Sequence, residues 1–77
     1  MKELNYKVFL HKEPEGEYTV TVPSLSGCIT YGDNVDEALV MAKEAIELYL
    51  ETLRDDGEEI PAEENVLETS VAALAHA

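Results

Sequence analysis

One long amphipathic helix, predicted from Asn34 to Gly57, constrains the fold of this 77-residue chain more than any other feature. Asn34 is a good N-cap, and Glu37 follows three residues later, as in a capping box. Gly57 suits the position just after a helix, and Pro61 prevents a restart. Apolar residues recur between these signals at spacings of three and four, which forms one broad apolar face. That face consists of Val35, Ala38, Leu39, Ala42, Ala45, Ile46, Tyr49, Leu50 and Leu53.

Two strands are predicted at the start of the chain. Residues 4–10 alternate apolar and polar side chains, which is the period of a half-buried strand. Pro14 and Gly16 then favour a hairpin turn. Residues 18–22 alternate again and are rich in β-branched side chains, which predicts a second strand. Pro23 should end that strand, because proline cannot donate a hydrogen bond to the sheet.

A short third strand and an ambiguous tail complete the pattern. Residues 28–31 predict the third strand, which Gly32 should stop. In the tail, residues 66–74 fit either a strand or a short helix capped by Asn65. We favour a strand, since three strands and a helix leave a sheet edge to cover. The predicted fold class is α+β, a two-layer β-β-β-α-β domain whose last strand lies parallel to the first through a right-handed crossover.

Charge and composition exclude several classes of function. The net charge is −12, and the five basic residues are scattered, so direct binding to nucleic acid is not expected. The acidic residues fit two interpretations equally well: attraction of a basic partner, or plain solubility. No apolar run approaches the roughly 20 residues of a membrane span. The single cysteine agrees with a reducing compartment, so we expect a cytoplasmic protein.

Most of the chain, from about Tyr6 to Pro61, resembles the N-terminal domain of HicB-type antitoxins. The stretch EPEGEYTVTVPSLSGCITYGDNVDEALVMAKEAIELYLETLRDDGEEIP follows that family's pattern at many fixed spacings. The matching residues include Tyr18, Val20, Val22, Pro23, Leu25, Gly27, Cys28, Gly32, Asp33, Glu37, Ala38, Ala45, Tyr49, Gly57 and Pro61. The resemblance implies a partial ribonuclease-H-like fold. It also implies that the chain binds a small basic HicA-like toxin, an mRNA ribonuclease, masks its active site, and associates with itself. A free sheet edge on so small a domain favours a dimer or tetramer.

The chain departs from the family pattern at a few places. Ser26 stands where the family usually has proline, and Asn34 where it usually has threonine, yet both still suit a loop and a cap. Many HicB proteins carry a second, DNA-binding domain at the C-terminus. Residues 1–77 are expected to form a single HicB-like domain without one, so autoregulation by this chain alone is not expected.

Catalytic interpretations are weaker than structural ones. Cys28 could be a nucleophile only as a thiolate beside a base, and no pattern places His11 or His76 next to it. A small buried apolar role is therefore favoured for Cys28. Ser24 and Ser26 lack the context of a nucleophile and suit loop hydrogen bonding.

A metal-dependent nuclease is also disfavoured. Asp33, Asp36 and Glu37 could suggest a metal site, but that chemistry needs acidic residues on the first strand as well. The interior of that strand, residues 5–10, has none. We therefore expect no enzyme activity, no metal and no cofactor, because sharing a fold does not carry the function.

The functional hypothesis is an antitoxin that binds protein. Its alternative is a stand-alone oligomeric domain with another protein or a small ligand as partner. The residues expected to bind a partner are the acids Glu13, Glu15, Glu17, Glu44, Glu47 and Glu51. Val40, Met41 and Leu48 either widen the buried face of the helix or form a seam for self-association or a partner. The residues given structural roles are Pro23, Gly27, Cys28, Gly32, Asn34, Glu37 and Gly57.

Overall fold

Three strands precede one helix in the computed structural model, which describes residues 4–63 and 69–75. The elements are β1 (Phe9–Lys12), β2 (Tyr18–Thr21), β3 (Ile29–Gly32) and α1 (Val35–Asp55). The strands form an antiparallel sheet in the order β1-β2-β3, and α1 packs on one of its faces. The predicted α+β class and its two layers are confirmed.

The strand β1 begins later than the alternating pattern predicts. In the register observed, Phe9 pairs with Thr21, so Lys7 would lie opposite Pro23. Because Pro23 has no N–H, pairing cannot continue there. Residues 4–8 nevertheless keep the strand alternation: Tyr6 and Val8 pack on the core that faces the helix, and Lys7 is exposed.

The sequence pattern predicts that the third strand stops at Gly32. In the structure, Gly32 belongs to β3 as its last residue. Gly32 is buried, and a Cβ built on it would lie 2.5 Å from both the Cα and the backbone nitrogen of Ala38. The glycine is therefore required because the first turn of α1 packs directly on the strand. This requirement belongs to tertiary packing and leaves no local signal in the sequence.

Both ends of α1 are closed by the residues expected to cap it. The Asn34 Oδ1 accepts a hydrogen bond of 2.8 Å from the Glu37 N–H, and the Glu37 carboxylate accepts one of 3.0 Å from the Asp33 N–H. At the other end, Gly57 adopts a φ of 74°. The Gly57 and Glu58 N–H groups donate back to carbonyls of the last helical turn, which is a Schellman motif.

The core consists of two small clusters between the sheet and the helix. The first contains Val20, Ala38 and Ala42, and the second contains Val22, Leu25 and Cys28. Ala38 and Ala42 are buried residues of α1, and Ala38 lies directly against Gly32 at the end of β3. Val35 and Leu39, which the pattern placed on the same face, are 45% and 48% exposed. The buried face is therefore narrower than predicted.

The predicted last strand is not formed over the described part of the tail. Residues 69–74 belong to no strand, and Val71 and Leu74 are 87% and 100% exposed. Within the described ranges, the order is β-β-β-α rather than β-β-β-α-β. The physical reason is that these side chains bury nothing against their own domain, so alternation alone cannot hold them in the sheet. Positions 66–68, Asn65 and His76 lie outside the described residues.

Candidate functional site

The exposed face of α1 combines apolar and acidic side chains. Val40 and Leu48 are 59% and 65% exposed, and Met41 is also exposed, so these three do not widen the core. Glu44 lies between Val40 and Leu48 at helical spacings of four residues. Glu47 and Glu51 flank the same stripe, and both are exposed. We call this surface the acidic helix face: Val40, Met41, Glu44, Glu47, Leu48 and Glu51.

The basic residues of α1 lie to one side of that face. Lys43 and Arg54, the two cations of the helix, both line a groove between α1 and the segment that leads into β1. The groove has a volume of ≈ 880 Å³. Its apolar lining includes Leu4, Val8, Leu39, Ile46, Leu50 and Ile60. Glu47 and Glu51 border it as well, so two acids and two bases share its rim.

The hairpin acids are arranged differently. The Glu13 carboxylate accepts a hydrogen bond of 2.8 Å from the Thr19 hydroxyl and lies 4.0 Å from His11 Nε2. Glu13 is half-buried, whereas Glu15 and Glu17 are exposed. Glu13 therefore stabilises the hairpin, and fewer of its acceptor sites remain for a partner.

A second exposed apolar surface lies on the sheet face opposite the helix. Phe9, Ile29 and Tyr31 are 48%, 52% and 61% exposed. The register places Phe9 and Ile29 on either side of Thr21, and Tyr31 next to Thr19. The alternation of β1 predicts that Phe9 lies on this face, but its grouping with Ile29 and Tyr31 depends on strand pairing, which leaves no local signal in the sequence.

The candidate nucleophiles are held in structural roles. Burial raises the pKa of the Cys28 thiol, which is 6% exposed and packs in the second core cluster. A raised pKa disfavours the reactive thiolate. The Ser24 hydroxyl donates to the Glu63 carboxylate at 2.6 Å, and the Ser26 carbonyl accepts from the Tyr49 hydroxyl at 2.8 Å. These contacts fasten the loop after β2 to α1 and to the segment that follows it.

The acids at the start of α1 serve as caps. The Glu37 carboxylate is already bonded to the Asp33 N–H, and Asp36 lies in the first turn, where negative charge favours the helix. Over residues 4–63 and 69–75, no group of three or more His, Cys, Asp or Glu side chains is placed to hold a metal ion. Among the same residues, no helix has the length and apolarity to span a membrane.

Similarity to known proteins runs along most of the chain. The family model described as a HicB-like antitoxin of bacterial toxin-antitoxin systems matches residues 6–76. This chain belongs to the HicB-like antitoxin family. The resemblance predicted for residues 6–61 is thereby confirmed, and membership places the chain on the antitoxin side of a toxin–antitoxin system.

Individual relatives of this HicB-like chain include proteins of similar length and longer ones. A UPF0150 protein of Thermoplasma acidophilum is 43% identical over 70 residues, which cover 91% of this chain and all of that protein. Antitoxin HicB 1 of Photorhabdus laumondii is 38% identical over 61 residues, covering 79% of this chain and 39% of that one. The crystal structure of the N-terminal domain of Burkholderia pseudomallei antitoxin HicB superimposes with a TM-score of 0.63. It is 30% identical, and the match covers 86% of this chain and 69% of that domain.

Proposed function

We propose that this HicB-like chain neutralises a small basic HicA-like mRNA ribonuclease by covering its active site, and that it does so in the cytoplasm without chemistry of its own. The observation that carries the proposal is the acidic helix face, where exposed apolar residues alternate with exposed acids. An RNA-binding site must attract phosphates, so its surface is basic. A rigid row of carboxylates can occupy the positions that phosphates would take.

The acidic helix face fits this role better than the hairpin does. Its acids project from a helix that is capped at both ends, so their spacing is fixed before binding. Val40 and Leu48 lie among those acids and supply apolar area that a partner would bury. The hairpin offers Glu15 and Glu17, while Glu13 is bonded to Thr19. The hairpin acids are therefore expected to contribute less to toxin binding than the acids of α1.

Reversal of charge on the helix tests the proposal directly. Changing Glu44, Glu47 and Glu51 together to Lys should raise the Kd for a HicA-like toxin about 30-fold, because like charges would then face each other. The measurement is a binding titration at several salt concentrations, together with RNA cleavage by the toxin. The wild-type chain should lose affinity as salt rises, and the variant should lose less.

The hairpin provides a matched control with the same change in charge. Changing Glu13, Glu15 and Glu17 to Lys alters the net charge by the same amount but leaves the acidic helix face intact. We expect a loss of affinity below about 5-fold, which reflects only long-range attraction. Equal losses in the two variants would remove the helix face from the mechanism.

The proposed antitoxin is a homo-oligomer. Two acidic helix faces repel each other, so copies of the chain must join through a different surface. This separation leaves the helix face of each copy available to a toxin.

A further inference from the structure

The groove between α1 and the segment that leads into β1 leaves apolar side chains in contact with solvent. Leu4, Leu39 and Ile60 line it from three parts of the chain and are 41%, 48% and 37% exposed. Ile46 and Leu50 are half-buried and line the wall that α1 provides. Because the removal of apolar surface from water is favourable, this groove favours a partner that brings apolar side chains of its own.

The groove is continuous with the acidic helix face. One row of residues along α1, spaced by four, joins the two surfaces: Leu39, Lys43, Glu47 and Glu51. All four line the groove, and the last two also belong to the acidic helix face. A partner that covers the carboxylates of Glu47 and Glu51 therefore lies at the mouth of the groove. One molecule must occupy both surfaces, because a second molecule would have to share the same two side chains.

The two cations of α1, Lys43 and Arg54, both line this groove, although the helix carries six acidic residues. Glu47 lies four residues after Lys43, and Glu51 lies three residues before Arg54, at spacings that allow ion pairs on a helix. Within residues 4–63 and 69–75, however, neither cation forms an ion pair, and both are exposed. Both are therefore available to carboxylates of a partner.

The spacing of the two cations limits which segment of a partner can meet both of them. Lys43 and Arg54 are eleven residues apart, and a helix rises about 1.5 Å per residue, so they lie roughly 16 Å apart along the axis of α1. An extended segment advances about 3.3 Å per residue, so about five residues span that distance. A segment that is basic throughout is repelled by the two cations, and one that is acidic throughout is repelled by Glu47 and Glu51. A short apolar segment with an acidic residue at each end avoids both repulsions.

On the basis of the proposed function, we infer that a segment of the toxin, apolar for about five residues and flanked by acidic residues, lies in this groove. The basic surface of the same toxin lies on the acidic helix face. Any basic protein is attracted by the carboxylates of α1, but only a toxin with such a segment also covers Leu39 and meets Lys43 and Arg54. The groove therefore selects the cognate toxin among basic proteins.

Reversal of the two cations has an expected effect opposite in sign to that of simple charge attraction. Lys43→Glu together with Arg54→Glu makes the net charge of −12 more negative by four units, which strengthens the long-range attraction of a basic toxin. We nevertheless expect the Kd for the toxin to rise about 10-fold or more, because like charges then meet at both ends of the bound segment. A binding titration at one fixed salt concentration measures the change. An unchanged or lower Kd would overturn the inference.

Lys7→Glu together with Lys12→Glu is the matched control. Both side chains are exposed and neither lines the groove, yet the change in net charge is the same. This variant should bind the toxin as tightly as the wild-type chain does, or more tightly. The wild-type chain separates two kinds of failure. If it does not bind the toxin, the proposed function is wrong; if it binds but reversal of Lys43 and Arg54 has no effect, only the assignment of the groove is wrong.

Alkylation of a cysteine placed in the groove shows what covers it. In a Cys28→Ala background, the Leu39→Cys variant should react with iodoacetamide in the free chain, and the toxin should slow that reaction about 10-fold or more. The Ile29→Cys variant, on the sheet face opposite the helix, is similarly exposed and should react at the same rate with and without the toxin. An unchanged rate for the Leu39→Cys variant in the complex would overturn the inference. Slow alkylation of that variant in the free chain would also overturn it, because another part of the chain or a second copy would then already fill the groove.

Discussion

Gly32→Ala is expected to lower the free energy of unfolding by about 3 kcal/mol, the largest effect of any single methyl group in this chain. A Cβ at residue 32 would lie 2.5 Å from backbone atoms of Ala38, so no change of side-chain rotamer can relieve the overlap. The first turn of α1 must move away from β3, which opens the cluster of Val20, Ala38 and Ala42. Urea denaturation followed by circular dichroism, at one fixed protein concentration, measures the change.

Gly57→Ala is the matched control for that prediction. Gly57 has a φ of 74°, and a Cβ there meets no atom within 4 Å. Its substitution should lower the free energy of unfolding by only about 1 kcal/mol, because an alanine is strained in the left-handed region of φ and ψ. Equal losses at the two glycines would mean that close packing of α1 on β3 does not determine the fold.

Leu25→Ala is expected to lower the free energy of unfolding by about 3 kcal/mol, which is the second large effect. Leu25 is 1% exposed and belongs to the cluster with Val22 and Cys28, which fills the end of the sheet under α1. That cluster is small, so truncation leaves a cavity with few neighbours able to close it. For a domain of this size, the melting temperature should fall by roughly 4–8 °C for each kcal/mol lost.

Leu48→Ala removes the same atoms from an exposed position and serves as the comparison for Leu25→Ala. Leu48 is 65% exposed on the acidic helix face, so its truncation should change stability by less than about 0.5 kcal/mol. If Leu48→Ala destabilised the free chain as much as Leu25→Ala, the helix face would be buried in solution and unavailable to a toxin.

Features set by neighbouring residues were predictable from the sequence. The N-cap of α1 depends on Asn34 and Glu37, which are three residues apart, and its end depends on the backbone of Gly57. Both ends lie where the sequence pattern predicts them. The hairpin at Gly16 is likewise local: its N–H donates to the Glu13 carbonyl at 2.8 Å. The antiparallel order of the first three strands followed from these short connections.

Features set by contacts between distant elements were not predictable in this way. The role of Gly32 depends on how closely α1 approaches β3. The sequence pattern predicts only that the strand stops at this glycine. The grouping of Phe9 with Ile29 and Tyr31 on one sheet face requires the register of three strands. The tail shows the same limit, because residues 69–74 carry a strand pattern that the single chain leaves exposed.

The candidate site was predicted in part. The spacing of Glu44, Glu47 and Glu51 placed them together on α1, and their exposure follows from the helical period. Their role in binding a toxin stays a prediction. Whether Val40, Met41 and Leu48 lie in the core or at the surface could not be decided from spacing, because the width of the buried face depends on how the sheet packs against it.

Native mass spectrometry of the tagged chain, purified at low salt from the cells that produce it, tests whether this chain binds and neutralises a toxin. We expect a stoichiometric complex with a small basic protein, which raised salt should release. Once released, that protein should cleave mRNA, and adding back the wild-type chain should stop the cleavage. Recovery of only the bare homo-oligomer, or of a basic protein whose activity the chain does not alter, would contradict the claim.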